Sequence, residues 1–285
     1  MKRKALYVAA ATLTVFIATL YGCYKAPITG RSQLILVSPQ EEREMGLLAF
    51  SEIRRKERVS TDPVFNNYVG RVVERIARAS GKPEYEWEYM IIKKDNVVNA
   101  FALPGGKVGV YTGILPIART EAGLATVIGH EVAHATARHG AERITVGMLA
   151  QLGAIGLGAA LSRGDPRIAG IMNDAYGLGV TVGAILPFSR SQEAEADRIG
   201  LIYMAKAGYN PKEAIYFWDR MEEATRDKPT PPEFLSTHPG YNTRRKNLIK
   251  WQPEAMYYYM SAPKAPNDVI TAVLSQRGGL STTGW

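Results

Sequence analysis

His130-Glu131-Val132-Ala133-His134 places two imidazoles four residues apart with a carboxylate between them. On a helix advancing about 100° per residue, His134 lies roughly 40° around from His130, and Glu131 lies roughly 60° beyond His134. Both ring nitrogens can therefore reach one tetrahedral Zn²⁺, while the glutamate is too far off that axis to ligate and faces a water on the open side of the metal. The spacing makes His130 and His134 candidate metal ligands and Glu131 a candidate general base; two satisfied histidines on an ordinary helix are the alternative.

The flanking residues predict the helix that this geometry needs. Thr120 is an N-cap with Glu121 in the first turn, and Leu124, Val127, Ile128, Glu131 and Ala135 recur at helical spacing up to a stop at Gly140. His139 falls about 180° from His130 and is expected to be solvated near the C-terminal end, where a cationic imidazole is mildly favoured.

A catalytic zinc site takes three protein ligands, so one is still to be found. Ser189-Arg190-Ser191-Gln192-Glu193-Ala194-Glu195-Ala196-Asp197-Arg198 opens with a capping box and predicts a second helix to about Ala207, stopped by Gly208. Glu193, Ala196, Asp197, Gly200, Leu201 and Met204 share one largely apolar face, and Glu195 belongs to the opposite one. A carboxylate on the inward face requires a partner. Glu193 is assigned as the third ligand, and Asp197, one turn on, as the acceptor for the outer nitrogen of a ligating histidine, a contact that fixes the tautomer and raises ligand basicity.

This ordered set resembles the gluzincin metallopeptidases of the HtpX, BepA and LoiP type, bacterial relatives of the CAAX prenyl protease. The resemblance covers roughly residues 28 to 250 and takes in Thr29-Gly30-Arg31, Asn99-Ala100-Phe101-Ala102-Leu103-Pro104-Gly105-Gly106, and Thr237-His238-Pro239 with Arg244 beyond it. It implies an α+β fold, a mainly helical zincin-type domain with a small sheet beside the active-site helix, one Zn²⁺ per chain, and endopeptidase activity on misfolded or unassembled envelope proteins. It further implies that His238 is an inhibitory fourth ligand that must leave for catalysis, and that Arg244 steadies the oxyanion. The alternative is a chaperone-like, lipid-tethered binding module whose zinc site is closed and structural; an intact Glu131 favours the enzyme, since a structural site needs no base.

Trp87 to Lys93, Val97 to Leu103, and Lys107 to Thr112 after Pro104-Gly105-Gly106 predict the strands of the small sheet. An exposed edge among them would accept an extended substrate through main-chain hydrogen bonds, with little sequence preference; a core hairpin without ligand contact is the alternative. Ser38-Pro39, Asp62-Pro63 and Asn210-Pro211-x-Glu213 predict further helix starts.

The N-terminus reads as an address. Met1-Lys2-Arg3-Lys4 is a basic n-region, Ala5 to Tyr21 is apolar, and Leu20-Tyr21-Gly22-Cys23 resembles a lipobox, so residues 1–22 are expected to be a lipoprotein-type signal and Cys23 the lipidated residue. An uncleaved membrane anchor is the alternative. Cys23 is the only cysteine, which excludes a disulfide framework and a thiolate nucleophile elsewhere in the chain. The expected location is the cell envelope, on the periplasmic face of an outer membrane where the host has two membranes, as in LoiP-like lipoproteins. Net charge is +8, and no phosphate loop or nucleic-acid motif accompanies it, so nucleic acid is not an expected partner. Residues 23–250 are expected to form one peptidase domain and 251–285 a short tail without repeats. Residues 144 to 188, rich in Gly, Ala, Leu and Ile, are expected to be helices packed over the active site or a membrane-touching lid.

Overall fold

The computed structural model describes residues 23–161, 189–226, 233–238 and 241–270. Along the chain run β1 (Cys23–Lys25), β2 (Ser32–Leu34), α1 (Pro39–Lys56), α2 (Pro63–Ser80), β3 (Glu88–Ile92), β4 (Ala100–Leu103), β5 (Lys107–Tyr111), a 3₁₀ turn (Thr112–Ile114) and α3 (Leu115–Ala118). Then come α4 (Glu121–Thr136), α5 (His139–Leu161), α6 (Arg190–Lys206), α7 (Glu213–Thr225), α8 (Glu233–Thr237) and α9 (Tyr241–Ser261). The fold is α+β and mainly helical, as expected. Residues 1–22, and with them the expected signal, lie outside the described residues, as does 162–188 of the expected lid. No helix among the described residues is long and apolar enough to cross a membrane.

The chain divides into two compact units, residues 1–42 with 138–186, and residues 43–137 with 187–285. In the first, β1 and β2 form an antiparallel pair in which Cys23 is opposite Leu34. The turn between them uses left-handed backbone at Ile28 and Gly30. Arg31 then grips Glu142 of α5 through both terminal nitrogens, at 2.6 and 2.8 Å.

The second unit carries the expected chemistry. Its three strands run in the order β3-β5-β4, with β3 parallel and β4 antiparallel to the central β5. Gly105 and Gly106 have φ of +81° and +87°, which is why the β4–β5 turn needs glycine. On one face of the sheet, Met90 and Ile92 pack with Phe50 of α1, Phe101 and Tyr111.

Helix starts obey their local signals. Asp62 accepts a hydrogen bond from Val64 N at 2.9 Å with Pro63 at the first helical position, and Ser189 with Gln192 forms a complete capping box on α6. α4 is capped by Thr120, which accepts from Gly123 N. Two further α4 donors are met from far along the chain: Glu121 N–H donates to the Asp268 carbonyl (3.1 Å) and Ala122 N–H to Asn267 Oδ1 (3.0 Å). Residues 263–270 form a strap that also bonds Ile270 N to Arg119 O (2.7 Å) and Ala265 N to Gly208 O (3.0 Å), so it joins the start of α4 to the end of α6. α9 runs through the expected boundary at 250/251, and the strap lies beyond it.

Two expectations about α4 are corrected. The helix ends at Thr136 rather than at Gly140, because Arg138 adopts a left-handed φ of +58°. His139 consequently begins α5 and is fully buried instead of solvated.

Candidate metal centre

α4 and α6 run antiparallel in close contact. They meet at Gly129 and Gly200, where a Cβ on Gly200 would lie 2.8 Å from His130 N and one on Gly129 would lie 2.9 Å from Gly200 O. Only glycine lets the backbones approach this closely, and the approach puts the glutamate of α6 within reach of the histidines of α4.

His130, His134, Glu193 and His238, all buried, bring one ligating atom each within 4.8 Å of one another. His134 Nε2 lies 3.1 Å from His130 Nε2, which lies 3.2 Å from His238 Nδ1. Glu193 Oε1 is 3.0 Å from His238 Nδ1 and 3.3 Å from His134 Nε2. Zinc bonded at about 2.0–2.1 Å by four tetrahedral donors spaces those donors by about 3.3–3.4 Å. These four separations, 3.0–3.3 Å, come close to those edge lengths, and the donors have the nitrogen-rich chemistry of a zinc site. Converging imidazole nitrogens this close need a shared cation or protons to offset their lone pairs.

The surrounding contacts orient these donors. His130 Nδ1 is 2.9 Å from Asp197 Oδ1, the position expected for a tautomer-fixing carboxylate. Arg244 is buried, donates from Nε to Asp197 Oδ2 (2.6 Å) and from a terminal nitrogen to Glu193 Oε2, and its guanidinium stacks 3.9 Å from the Trp218 ring. Its other terminal nitrogen, Nη1, is buried with no hydrogen-bond partner among the described residues. His238 directly follows α8, on which Phe234 stacks on Trp218 with ring centroids 5.8 Å apart and donates its N–H to Val98 O. His238 then turns its second nitrogen, Nε2, to within 3.4 Å of Glu131 Oε1.

Electrostatics follow from this packing. Burial alone would depress the His130 imidazole, but the Asp197 and Glu193 carboxylates outweigh it and raise its pKa to about 9. Burial likewise opposes ionisation of Glu193, yet bonds from His130, His134 and His238 hold it far below the usual carboxylate range. Glu131 is raised above its ordinary value by burial, against the pull of His238 and His130, so its affinity for a proton is enhanced.

Every residue expected at the site by sequence, His130, Glu131, His134, Glu193, Asp197, His238 and Arg244, is found in one buried cluster. Cys23 belongs to the other unit. Trp218 and Phe234, which hold Arg244 and His238 in place, were not anticipated; the i,i+4 spacing of Phe234 and His238 is the one signal that pointed to them. Glu195, placed by helical phase on the face away from Glu193, is buried as well.

β4 runs beside α4, and among the described residues only β5 pairs with it. Tyr111 N donates to Asn99 O (3.1 Å), so in an antiparallel ladder Phe101 and Leu103 also bond inward to β5, while Ala100 and Ala102 turn their main-chain groups outward. The Ala100 N–H is taken by the Asn99 side chain at 2.9 Å, and the Ala100 carbonyl and both groups of Ala102 are directed away from β5.

The peptidase family M48 model matches residues 63–252, which contain all seven clustered residues. The mitochondrial metalloendopeptidase OMA1 of Schizosaccharomyces pombe is 37% identical over 232 residues, covering 80% of this chain and 66% of that protein; its Saccharomyces cerevisiae counterpart is 33% identical over 252 residues, covering 82% and 70%. The β-barrel assembly-enhancing protease of Yersinia pestis is 28% identical over 239 residues, covering 80% of this chain and 49% of that protein. The chain spans about half to two thirds of the length of most of these relatives. A family match over residues 63–252, meeting a buried set of three imidazoles and a carboxylate that could hold a metal ion, leads to one conclusion: the chain is a metallopeptidase of family M48.

Proposed function

We propose that this chain is a zinc-dependent endopeptidase of LoiP-like type that hydrolyses misfolded or unassembled proteins of the cell envelope, tethered there through a lipid on Cys23. The observation that carries the activity is the convergence of His130, His134 and Glu193 on one point with Glu131 beside it. Zinc held there would supply the Lewis acidity that activates a water near neutral pH and polarises the scissile carbonyl. Glu131, its proton affinity raised by burial, accepts the proton of the attacking water and passes it to the leaving amine. Arg244 holds Glu193 and Asp197 in register, and its free Nη1 is the group to steady negative charge on the carbonyl oxygen. An extended substrate adds to the edge of β4 that faces away from β5, through Ala100 and Ala102, which supports low sequence preference and suits unfolded polypeptide.

In this reading the arrangement described above is a resting state. The His238 ring occupies the fourth donor position with Nδ1 and faces the base with Nε2, so it withholds the attacking water and the proton acceptor together. The name of the Yersinia relative supports substrates in envelope assembly, whereas the fungal relatives are named as mitochondrial. The test is to assay zinc content and cleavage of an unfolded protein by wild type, Glu131→Gln and His238→Ala. Loss of cleavage with retained zinc in the first, and unchanged or faster cleavage in the second, is expected. Equal background cleavage in all three would replace the enzyme with a closed, structural zinc module.

A further inference from the structure

α9 is apolar on the side where a surface helix should be polar. Its inward face carries Arg244, Leu248 and Ala255, all buried. At about 100° per residue, Ile249, Pro253, Tyr257 and Met260 fall within about 80° of one another on the opposite side. Ile249 is 47% exposed, Tyr257 72% and Met260 70%. Lys246 and Lys250, both exposed, fall on or beside the same arc, and Lys264 follows at the helix end, its ammonium seated on the carbonyls of Tyr259 (2.5 Å) and Ala262 (2.9 Å).

No acid shares this arc. Glu254, which borders it, is turned aside into a two-pronged pair with Arg198 at 3.0 and 3.1 Å. Asp219 on α7 is occupied by Arg245 at 3.0 Å, on the other border. The result is a line of Ile, Pro, Tyr and Met flanked by lysines.

We infer that this outer face of α9 rests on an anionic lipid surface. Tyrosine with an apolar neighbour and a lysine at either hand is the composition that favours the membrane–water boundary, where the ring sits at headgroup depth and ammonium groups pair with lipid phosphates. A second copy of the chain fits less well, because a two-fold pairing of this face would set lysines against lysines. The apolar stretch from Ala5 to Tyr21 behind three basic residues, whether a signal that leaves a lipid on Cys23 or an uncleaved anchor, would bring the chain to a bilayer, the nearness that weak interfacial binding requires. The inference does not depend on the peptidase reading, and its readout is independent of cleavage.

The experiment uses the full chain with Cys23→Ser, so that Met260→Cys provides its one thiol, labelled with an environment-sensitive fluorophore. Vesicles of phosphatidylcholine alone are compared with vesicles holding three parts in ten phosphatidylglycerol, each with or without nitroxide-bearing lipid. Emission from position 260 is expected to shift to the blue and to be quenched by the nitroxide in anionic vesicles, while the same label at Lys56→Cys is not. Lys246→Gln and Lys250→Gln should each weaken the response about fivefold, with cleavage of a soluble unfolded protein unchanged. Absence of quenching at 260, or equal quenching in neutral vesicles, would overturn the inference. So would a blue shift without lipid that grows with protein concentration, which marks a second copy, or one abolished by deleting residues 271–285, which marks the chain's own tail as the occupant.

Discussion

Glu131 shares a helical turn with His130 and sits buried 3.4 Å from His238, and none of the distances that define the metal cluster involve it. Replacing it with glutamine preserves shape and removes the base, so kcat/KM for an unfolded protein should fall by about 10²–10⁴-fold with zinc content intact. Asp197→Asn acts differently: it weakens the acceptor facing His130 Nδ1 and should lower zinc affinity about 10–100-fold in a competition titration with a chromogenic chelator. The metal-free protein should also be sensitive to pH. His130 is raised to about 9 in the folded state, so its contribution to stability is complete below the ordinary imidazole value and is lost as pH rises towards 9. Glu193 is depressed, so its contribution is present above the ordinary carboxylate value and is lost only in acid. A melting series on chelator-treated protein should thus show Tm falling between pH 6.5 and 9.5. A flat profile over that range would contradict the proton-bridged cluster.

Among the helices, Gly129 and Gly200 set the distance at which α4 and α6 pass. Gly200→Ala pushes a methyl against the His130 backbone and should cost about 1–3 kcal/mol, read as a lowered Tm together with reduced zinc occupancy. The sequence made the candidate donors legible because a metal site asks for particular residue types at a particular helical phase: His130, His134 and Glu193 were expected on the inward sides of two helices, and they lie there. Capped starts were legible for the same local reason, at Asp62, Thr120 and Ser189. The end of α4 was not, because Gly140 looked like a stop while the break comes from a left-handed Arg138, a conformation that tertiary contacts with Glu42 and the Val37 carbonyl hold. His139 was misread as solvated because phase alone tells which way a side chain points from its own helix. It does not tell what another segment lays over that side.

Across the second unit, long-range pieces complete short-range structure. Phe234 and Trp218, 16 positions apart in the chain, deliver His238 and Arg244 to residues of α4 and α6 that no local pattern connects to them. The strap at 263–270 does the same for the start of α4, and its side chain at Asn267 substitutes for a local cap on Ala122 N. Asn267→Ala should lower stability by about 0.5–2 kcal/mol, in the range of a lost helix cap, and chemical denaturation would detect it as a reduced midpoint at unchanged slope. A midpoint equal to wild type would mean that water replaces the amide without cost.

The strap also joins the outer ends of the two helices that hold the metal's donors, like a cord drawn across the handles of a pair of tongs. A nick by another protease between Pro263 and Ile270 would leave every ligand in place yet let the handles spread, so loosened zinc and lost stability would arrive together.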